Sequence, residues 1–282
     1  MKMDVHAHIF PPEMIQERER FFQGEPAFQT LYQSPKARLV SAETLVEAMD
    51  EGGIDVTVVF GFPWRQEALA RRHNDYVLEA AARFPNRLLP MVCFDPDGSY
   101  ALDEARRGLE AGAVGLGELA VYEACVEERV LARFEDLAAL CREKEAVLLV
   151  HANEPVGHAY PGKAPMGLKF YYELARRTRG VPLVLAHWGG GLFFFERLKR
   201  ETQEVLAHVF YDTAASPFLY HPQIYRDAIE MVGVDRILLG TDYPLLSVGR
   251  YVREMGDAGL DEPLQARILG ENAARLFANR LA

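Results

Sequence analysis

Several features that would point to other classes of protein are scarce in this sequence of 282 residues. Only three cysteines occur, Cys93, Cys125 and Cys141, and the absence of a C-x-x-C pair argues against a disulfide framework or a closed cysteine zinc site. No apolar run approaches the roughly 18 residues that a membrane-spanning helix requires. Positive charge is in deficit, because 31 Lys and Arg face 41 Asp and Glu and leave a net charge of −10. This excess of negative charge argues against nucleic acids and anionic membranes as partners.

Common nucleotide-binding and nucleophile motifs are missing as well. No Gly-rich dinucleotide loop follows the first apolar run, and the sequence contains neither a P-loop nor a G-x-S-x-G elbow. The segment Met1–Asp4 is charged and leads directly into a strand-like run, which predicts that no signal peptide is present. Together with the sparse cysteines, this predicts a cytoplasmic protein.

What the sequence does contain is a regular alternation of short apolar runs and longer amphipathic stretches. Runs such as 147–150 are apolar throughout, as in parallel strands that are covered on both faces. The predicted strands are 3–9, 55–61, 88–94, 113–119, 147–153, 182–188, 208–213 and 236–242. The predicted helices are 41–49, 67–83, 100–111, 127–143, 165–179, 192–206, 222–231, 249–258 and 262–278. This α/β pattern predicts a single-domain (β/α)8 TIM barrel over residues 1–282, with a doubly wound open sheet as the alternative.

Residue types that bind metals occur at the ends of five predicted strands. His6 and His8 are two residues apart in strand one, so both imidazoles point to the same face. The other four end strands four, five, six and eight and are Glu118, His151, His187 and Asp242. In a barrel these strand ends surround one shallow bowl, where barrel enzymes have their active sites. Each residue alone has a structural explanation, such as helix capping, but the set together favours a metal site.

Four histidines and two carboxylates suit a divalent ion, zinc first, with manganese, iron and nickel as alternatives. Such an ion lowers the pKa of a bound water from about 15.7 towards about 7. Asp242 beside that water would accept its proton and pass it to a leaving group, and His187 would stabilise a developing oxyanion. The ligand set therefore predicts a catalytic metal.

The segment Asp4–His8, together with His151, His187 and Gly240–Pro244, resembles the amidohydrolase superfamily. More narrowly, it is similar to the amidohydrolase-related group that contains aminocarboxymuconate-semialdehyde decarboxylase-like enzymes. The tail Gly270–Phe277 is similar to the final-helix ending in that group. This resemblance covers essentially the whole chain. It implies a (β/α)8 metal-dependent hydrolase or, less often, a non-oxidative decarboxylase, and it makes a homodimer the expected assembly.

The resemblance also implies roles for individual residues. His6, His8 and His151 match metal ligands of the family. Asp242 matches the strand-eight ligand and general base. His187 matches either a ligand of a second metal ion or a residue that polarises the substrate.

Glu118 departs from the pattern, because many family members have a lysine on strand four. A carboxylate there is similar to the TatD-type deoxyribonuclease and phosphotriesterase-like branches, in which it bridges two ions, so one or two metals per chain are both open. The leading expectation is a hydrolase that cleaves a C–N or C–O bond of a small carbonyl compound. The alternatives are a decarboxylase of a small aromatic or muconate-like acid, a TatD-like phosphodiesterase, and a metal-binding barrel without activity.

Three further residues are predicted to contact a small-molecule substrate. Arg65 follows strand two, and its guanidinium suits a carboxylate, which it binds with two parallel hydrogen bonds. Glu154 and His158 lie in the loop 151–163, whose two prolines and two glycines predict a stiff shape. The alternative for His158 is a solvated loop position.

Overall fold

The computed structural model describes residues 1–123 and 125–281. Its eight parallel strands pair in sequence order. They are β1 (Met3–His8), β2 (Val56–Phe60), β3 (Leu88–Val92), β4 (Gly115–Leu119), β5 (Val147–Val150), β6 (Leu183–Leu185), β7 (Val209–Asp212) and β8 (Ile237–Leu238). The chain after β8 returns to β1, where the Val5 amide donates to the Leu239 carbonyl at 2.8 Å and the Asp242 amide to the His6 carbonyl at 2.9 Å. These bonds close the barrel and confirm the predicted fold.

Helices follow the strands around the barrel. The α-helices are α1 (Pro12–Gln16), α2 (Pro26–Tyr32), α3 (Ala42–Gly52), α4 (Glu67–Arg83), α5 (Ala101–Glu110), α6 (Glu127–Glu143), α7 (Leu168–Arg177), α8 (Arg200–Leu206), α9 (Ser216–Leu219), α10 (Ile224–Val232), α11 (Val248–Asp257), α12 (Glu262–Ala266) and α13 (Asn272–Leu276). Ser41 caps α3 as predicted, because its side chain accepts a hydrogen bond from the Thr44 amide at 3.4 Å.

Three predicted elements are shortened or broken in the structure. The eighth strand has only two residues. The stretch 192–206 is not one helix, because Leu198 and Lys199 are extended between a 3-10 segment, His187–Arg197, and α8. The last predicted helix is interrupted by a π-turn at Arg267–Glu271. There Gly270 passes so close to the N-terminal strand that a Cβ would lie 2.4 Å from the Met1 carbonyl oxygen.

The segment between β1 and α3 packs over the loop that follows β2. The buried Glu25 carboxylate accepts hydrogen bonds from the backbone amides of Arg65 at 3.0 Å and Gln66 at 2.8 Å. Three residues later, within α2, the ring of Phe28 packs against Trp64 with a centroid distance of 4.4 Å. This segment therefore forms one wall of the barrel mouth.

Within the described residues, no helix is long and apolar enough to cross a membrane. The three cysteines have free thiols, as expected. The cytoplasmic location and the homodimer remain predictions.

Candidate metal centre

The six predicted metal-binding side chains come together at the carboxyl end of the barrel. Their donor atoms form three overlapping groups, each with all atoms within 4.8 Å of one another: His6, His8 and Glu118; His6, His187 and Asp242; and Glu118, His151 and His187. Most of these side chains are almost fully buried, but His8 is 12% exposed and Asp242 is 20% exposed. A substrate that enters the mouth would therefore meet His8 and Asp242 first.

A bulge in β1 presents its histidines to the mouth. The pairing register shifts between Asp4 and Ala7, and Asp4 Oδ1 accepts a hydrogen bond from the His6 amide at 3.0 Å. The same oxygen accepts from the Thr241 amide at 3.0 Å, one residue before Asp242. Asp4 thus connects the two strand ends that supply ligands. Burial outweighs these hydrogen bonds and raises the pKa of Asp4 to about 6.

Hydrogen bonds at Nδ1 orient three of the four histidines. The pairs are His6 with Asp212 Oδ2 at 2.9 Å, His8 with the Gly61 carbonyl at 2.9 Å, and His187 with the Ala214 carbonyl at 3.0 Å. Because each partner is an acceptor, we assign the proton of the neutral imidazole to Nδ1, which leaves the lone pair on Nε2. This is the arrangement in which outer carboxylates and carbonyls orient histidines towards a metal.

The charges around the cluster favour a cation. Burial lowers the pKa of His6, but the negative charges of Glu118, Asp212 and Asp242 outweigh it and raise that pKa to about 10. Burial likewise lowers the pKa of His187, while its hydrogen bond to Glu118 and the nearby carboxylates raise it to about 9. Burial favours the neutral acid of Glu118, but the neighbouring histidines hold its pKa well below its usual range. A bound divalent ion would supply the positive charge that this cluster attracts.

Asp212 is not among the predicted site residues, yet it orients two of them. Its Oδ2 holds the His6 ring, and its Oδ1 accepts hydrogen bonds from the backbone amides of His187 at 2.9 Å and Ala214 at 3.0 Å. The side chain is fully buried. Its position at the end of β7, equivalent to the other strand ends, is the signal in the sequence that could have identified it.

Arg65 lies at the rim of the mouth and outside the ligand cluster. Its Nη1 is 3.2 Å from Glu123, and both side chains are about half exposed. Its role in binding a carboxylate stays a prediction.

The predicted loop 151–163 is organised around Glu154. This carboxylate accepts hydrogen bonds from the Tyr160 hydroxyl at 2.8 Å and from Lys163 Nζ at 2.9 Å. His158 is exposed, and its ring lies against Tyr160 with a centroid distance of 5.9 Å. Neither predicted substrate-binding residue touches the metal ligands, so their contact with substrate also stays a prediction.

Aromatic rings line the approach to the cluster. The Tyr122 ring lies 5.3 Å from the His151 ring and is stacked on Phe62 at 6.1 Å with an interplanar angle of 11°. Tyr32 lies edge-on to Phe62 at 6.0 Å. Burial and then the carboxylates of the cluster raise the pKa of Tyr32 and Tyr122 above the usual phenol value. Both hydroxyls are therefore neutral at physiological pH.

Two cavities flank the ligand-bearing strands. One of about 180 Å³ opens beside Tyr122, between α2 and the residues Tyr160–Lys163. The other, of about 580 Å³, lies between α3 and α11 on the helix side of β1, where Asp4 and Thr241 contact it from behind the cluster. The smaller cavity is the one that adjoins the aromatic approach to the cluster.

A comparison with known protein families agrees with the fold and with the cluster. The family model described as Amidohydrolase matches residues 3–278. This chain belongs to the amidohydrolase family. The family resemblance inferred from the motifs is thereby confirmed, and the protein is an enzyme of the amidohydrolase superfamily.

Among the relatives of this amidohydrolase are aromatic acid decarboxylases. The γ-resorcylate decarboxylase of Rhizobium sp. (strain MTP-10005) is 23% identical over 335 residues, which cover 98% of both chains. The crystal structure of 5-carboxyvanillate decarboxylase from Sphingomonas paucimobilis has a TM-score of 0.74 at 17% identity and covers 98% of both chains. A dihydroxybenzoic acid decarboxylase from Polaromonas sp. JS666, with bound manganese and the inhibitor 2-nitroresorcinol, has a TM-score of 0.67 at 19% identity. That match covers 99% of this chain and 97% of the other.

These relatives correct the expectation of hydrolysis. Decarboxylases among both the sequence relatives and the solved structures favour the lyase alternative over the hydrolase and over the TatD-like phosphodiesterase. The error has a chemical reason, because the same histidine and carboxylate ligands bind an ion in either reaction, and the substrate decides which bond breaks. Zinc as the first choice of ion is also unsupported, since the dihydroxybenzoic acid decarboxylase from Polaromonas contains manganese, but a divalent metal is supported.

Proposed function

We propose that this amidohydrolase is a metal-dependent, non-oxidative decarboxylase of a small phenolic carboxylic acid, with manganese as its ion. The observation that carries the proposal is the similarity to γ-resorcylate decarboxylase over 98% of both chains. The cluster at the barrel mouth agrees with it, since the six donors include the imidazoles and carboxylates that Mn²⁺ accepts.

The residues that would hold the ion are His6, His8, His151 and Asp242, with Glu118 at the centre of the cluster. When bound, the ion holds the oxygens of the substrate and draws negative charge away from its ring. Asp212 keeps His6 in the tautomer that this role requires.

Asp242 is placed to move the proton of this reaction. Non-oxidative decarboxylation forms a C–H bond at a ring carbon and breaks the C–C bond to the carboxylate at that carbon. The electron pair of the broken bond returns to the ring and CO₂ leaves. Asp242 is the most exposed side chain of the cluster, so it can donate its proton to the ring carbon and regain one from solvent.

The aromatic approach fits a single-ring substrate. Tyr122, which is partly exposed and stacked on the buried Phe62, offers an apolar face against which a benzene ring can stack. The adjoining cavity of about 180 Å³ is comparable with the roughly 150 Å³ that holds a benzene molecule in an engineered protein cavity. Arg65, Glu154 and His158 at the rim are the candidates for polar contacts with the rest of the substrate.

The test is to incubate the Mn²⁺-loaded protein in D₂O with a panel of hydroxybenzoates that includes 2,6-dihydroxybenzoate, and with benzoate as the matched control. We expect CO₂ release from at least one hydroxybenzoate, one deuterium on the ring carbon that carried the carboxylate, and no reaction of benzoate. Asp242→Asn should lower kcat by about 10²–10⁴-fold, the usual range for a lost proton donor. Turnover of esters, amides or lactones with no CO₂ from any hydroxybenzoate would refute the proposal.

A further inference from the structure

Two peptide groups at the barrel mouth are hydrogen-bonded to the hydroxyl of Tyr251, a fully buried residue of α11. The hydroxyl accepts a hydrogen bond from the Ala215 amide at 3.1 Å and donates its one proton to the Thr241 carbonyl at 2.7 Å. The first of these peptide groups joins Ala214 to Ala215, and the second joins Thr241 to Asp242. One side chain thus connects the loop after β7 with the loop after β8.

Each peptide group also contacts the metal cluster through its other polar atom. The Ala214 carbonyl accepts the hydrogen bond from Nδ1 of His187 at 3.0 Å. The Asp242 amide donates to the His6 carbonyl at 2.9 Å. The Tyr251 hydroxyl is therefore one peptide group away from the His187 ring on one side, and one peptide group away from the backbone of His6 on the other.

The residues that follow the two peptide groups have a backbone conformation that needs support. Ala215 and Asp242 both have a φ angle of 55°, in the left-handed region. A residue with a Cβ adopts this region at a cost in conformational free energy, and it stays there when surrounding contacts hold it. In Asp242 the same conformation sets the direction in which the carboxylate leaves the backbone. The hydrogen bonds of Tyr251 hold the peptide groups that lead into both residues.

We infer that Tyr251 is a positioning residue of the metal centre. Its hydroxyl fixes the peptide group that orients the His187 ring and the peptide group that orients the Asp242 carboxylate, although it is not itself a ligand. Tyr211 provides the contrast, because it is equally buried and its hydroxyl has no hydrogen-bond partner. The inference rests on the metal binding in the proposed function, and it does not depend on which reaction follows.

The test measures Mn²⁺ binding by Tyr251→Phe, which keeps the ring and removes the hydroxyl. Metal-free protein is titrated with Mn²⁺ alone by calorimetry, and the bound ion is examined by electron paramagnetic resonance. We expect binding to weaken by about 10-fold, the lower end of the loss that outer partners of ligands commonly cause, and the spectrum to change with the ligand geometry. Tyr211→Phe removes the same atom from a buried ring, and it should bind Mn²⁺ as wild type does with an unchanged spectrum. Circular dichroism checks that both variants are folded.

Wild-type affinity and spectrum in folded Tyr251→Phe would overturn the inference, and so would an equal loss in Tyr211→Phe. If Tyr251→Phe does not fold, hydrogen exchange in the wild type decides. By linkage, Mn²⁺ should slow the exchange of the Ala215 amide more than that of the Leu148 amide, which donates to the Pro182 carbonyl in the barrel wall. Equal slowing at both amides, or none, overturns the inference.

The outcome is separate from the proposed reaction. Weaker Mn²⁺ binding by Tyr251→Phe, with no CO₂ release from any hydroxybenzoate by the wild type, overturns only the decarboxylase. Unchanged binding by Tyr251→Phe, with CO₂ release by the wild type, overturns only the role of Tyr251.

Discussion

The two ends of the barrel interior differ sharply in chemistry. The lower end is a dry layer in which Met3, Val5, Val58, Met91 and Leu149 are all at most 1% exposed. At the upper end the same strands, or the residues that follow them, carry the imidazoles and carboxylates of the metal cluster. The lower layer holds the strands in register, and the upper end tolerates buried polar groups because each has a partner or would bind an ion. The residues that stabilise the barrel and those proposed to bind the ion therefore lie in adjacent layers of one sheet. A substitution in one layer should leave the role of the other layer unchanged.

The largest effect on stability is expected from the lower layer. Leu149→Ala removes a fully buried side chain that packs against Gly117, so it should lower the free energy of unfolding by about 2–5 kcal/mol. Urea unfolding of the metal-free protein measures this, with Leu149→Met as the matched control of similar volume. Manganese binding per folded chain should not change. A loss of metal binding at full folding would show that the two layers are not separable.

The next prediction concerns the orientation of the His6 ring at the upper end. Asp212→Asn removes the charge that orients His6, and it should weaken Mn²⁺ binding by about 10–100-fold, as loss of an outer partner commonly does. Calorimetric titration measures it, and Asp257→Asn at an exposed position is the control. An unchanged affinity in Asp212→Asn would mean that the ring needs no carboxylate to be oriented.

A histidine outside the barrel contrasts with His6 and His187, whose pKa values are raised by the carboxylates of the cluster. His73 is fully buried, accepts a hydrogen bond from Trp64 at 2.9 Å and donates one to the Ile9 carbonyl at 2.7 Å. Burial lowers its pKa from 6.5 to about 4. The unfolded chain therefore takes up a proton first as the pH falls below about 6.5, and stability is lost on acidification.

From these pKa values, His73 should account for a loss of about 2 kcal/mol in the free energy of unfolding between pH 7 and pH 5. The measurement is urea unfolding of the metal-free wild type and of His73→Gln at both pH values. The variant should lose about 2 kcal/mol less than wild type over that interval. Equal losses would show that His73 is not held neutral.

The smallest effect is expected at the rim. Arg65 forms an exposed pair with Glu123, so Arg65→Ala should change the free energy of unfolding by less than about 1 kcal/mol. If its guanidinium binds the substrate carboxylate, KM should rise while kcat stays unchanged, with Arg71→Ala as an exposed control on α4. An unchanged KM would assign Arg65 to the surface alone.

Much of this architecture could be predicted from the sequence, and the failures have physical reasons. Apolar runs are long enough to locate all eight strands, and the residues at their ends converge because parallel strands end at the same rim. The helix expected at 192–206 is broken by the extended residues Leu198 and Lys199. The left-handed residues 188–191, which precede it, have φ angles that depend on tertiary packing. For example, a Cβ on Gly190 would lie 2.2 Å from the Asn153 carbonyl oxygen, a contact that no local pattern reveals.

The site was harder to predict than the fold. The six predicted metal-binding residues come together because they lie at or just after strand ends, but Asp212 lies at such an end too and is not among them. Its hydrogen bonds to the His6 ring and the His187 amide appear only in the folded chain. The reaction was predicted wrongly because ligands identify an ion and not a substrate. The distances of 2.9–3.6 Å between Glu118 and the four histidines likewise appear only in the folded chain.

The most direct test of the central claim is CO₂ release from a reactive hydroxybenzoate by the same protein with and without its metal. We expect release by the Mn²⁺-loaded enzyme, loss of release after chelation with the fold intact by circular dichroism, and recovery when Mn²⁺ is added back. Release that persists in fully metal-free protein, or that never occurs at any manganese occupancy, would contradict the claim that the cluster at the barrel mouth is a metal centre for decarboxylation.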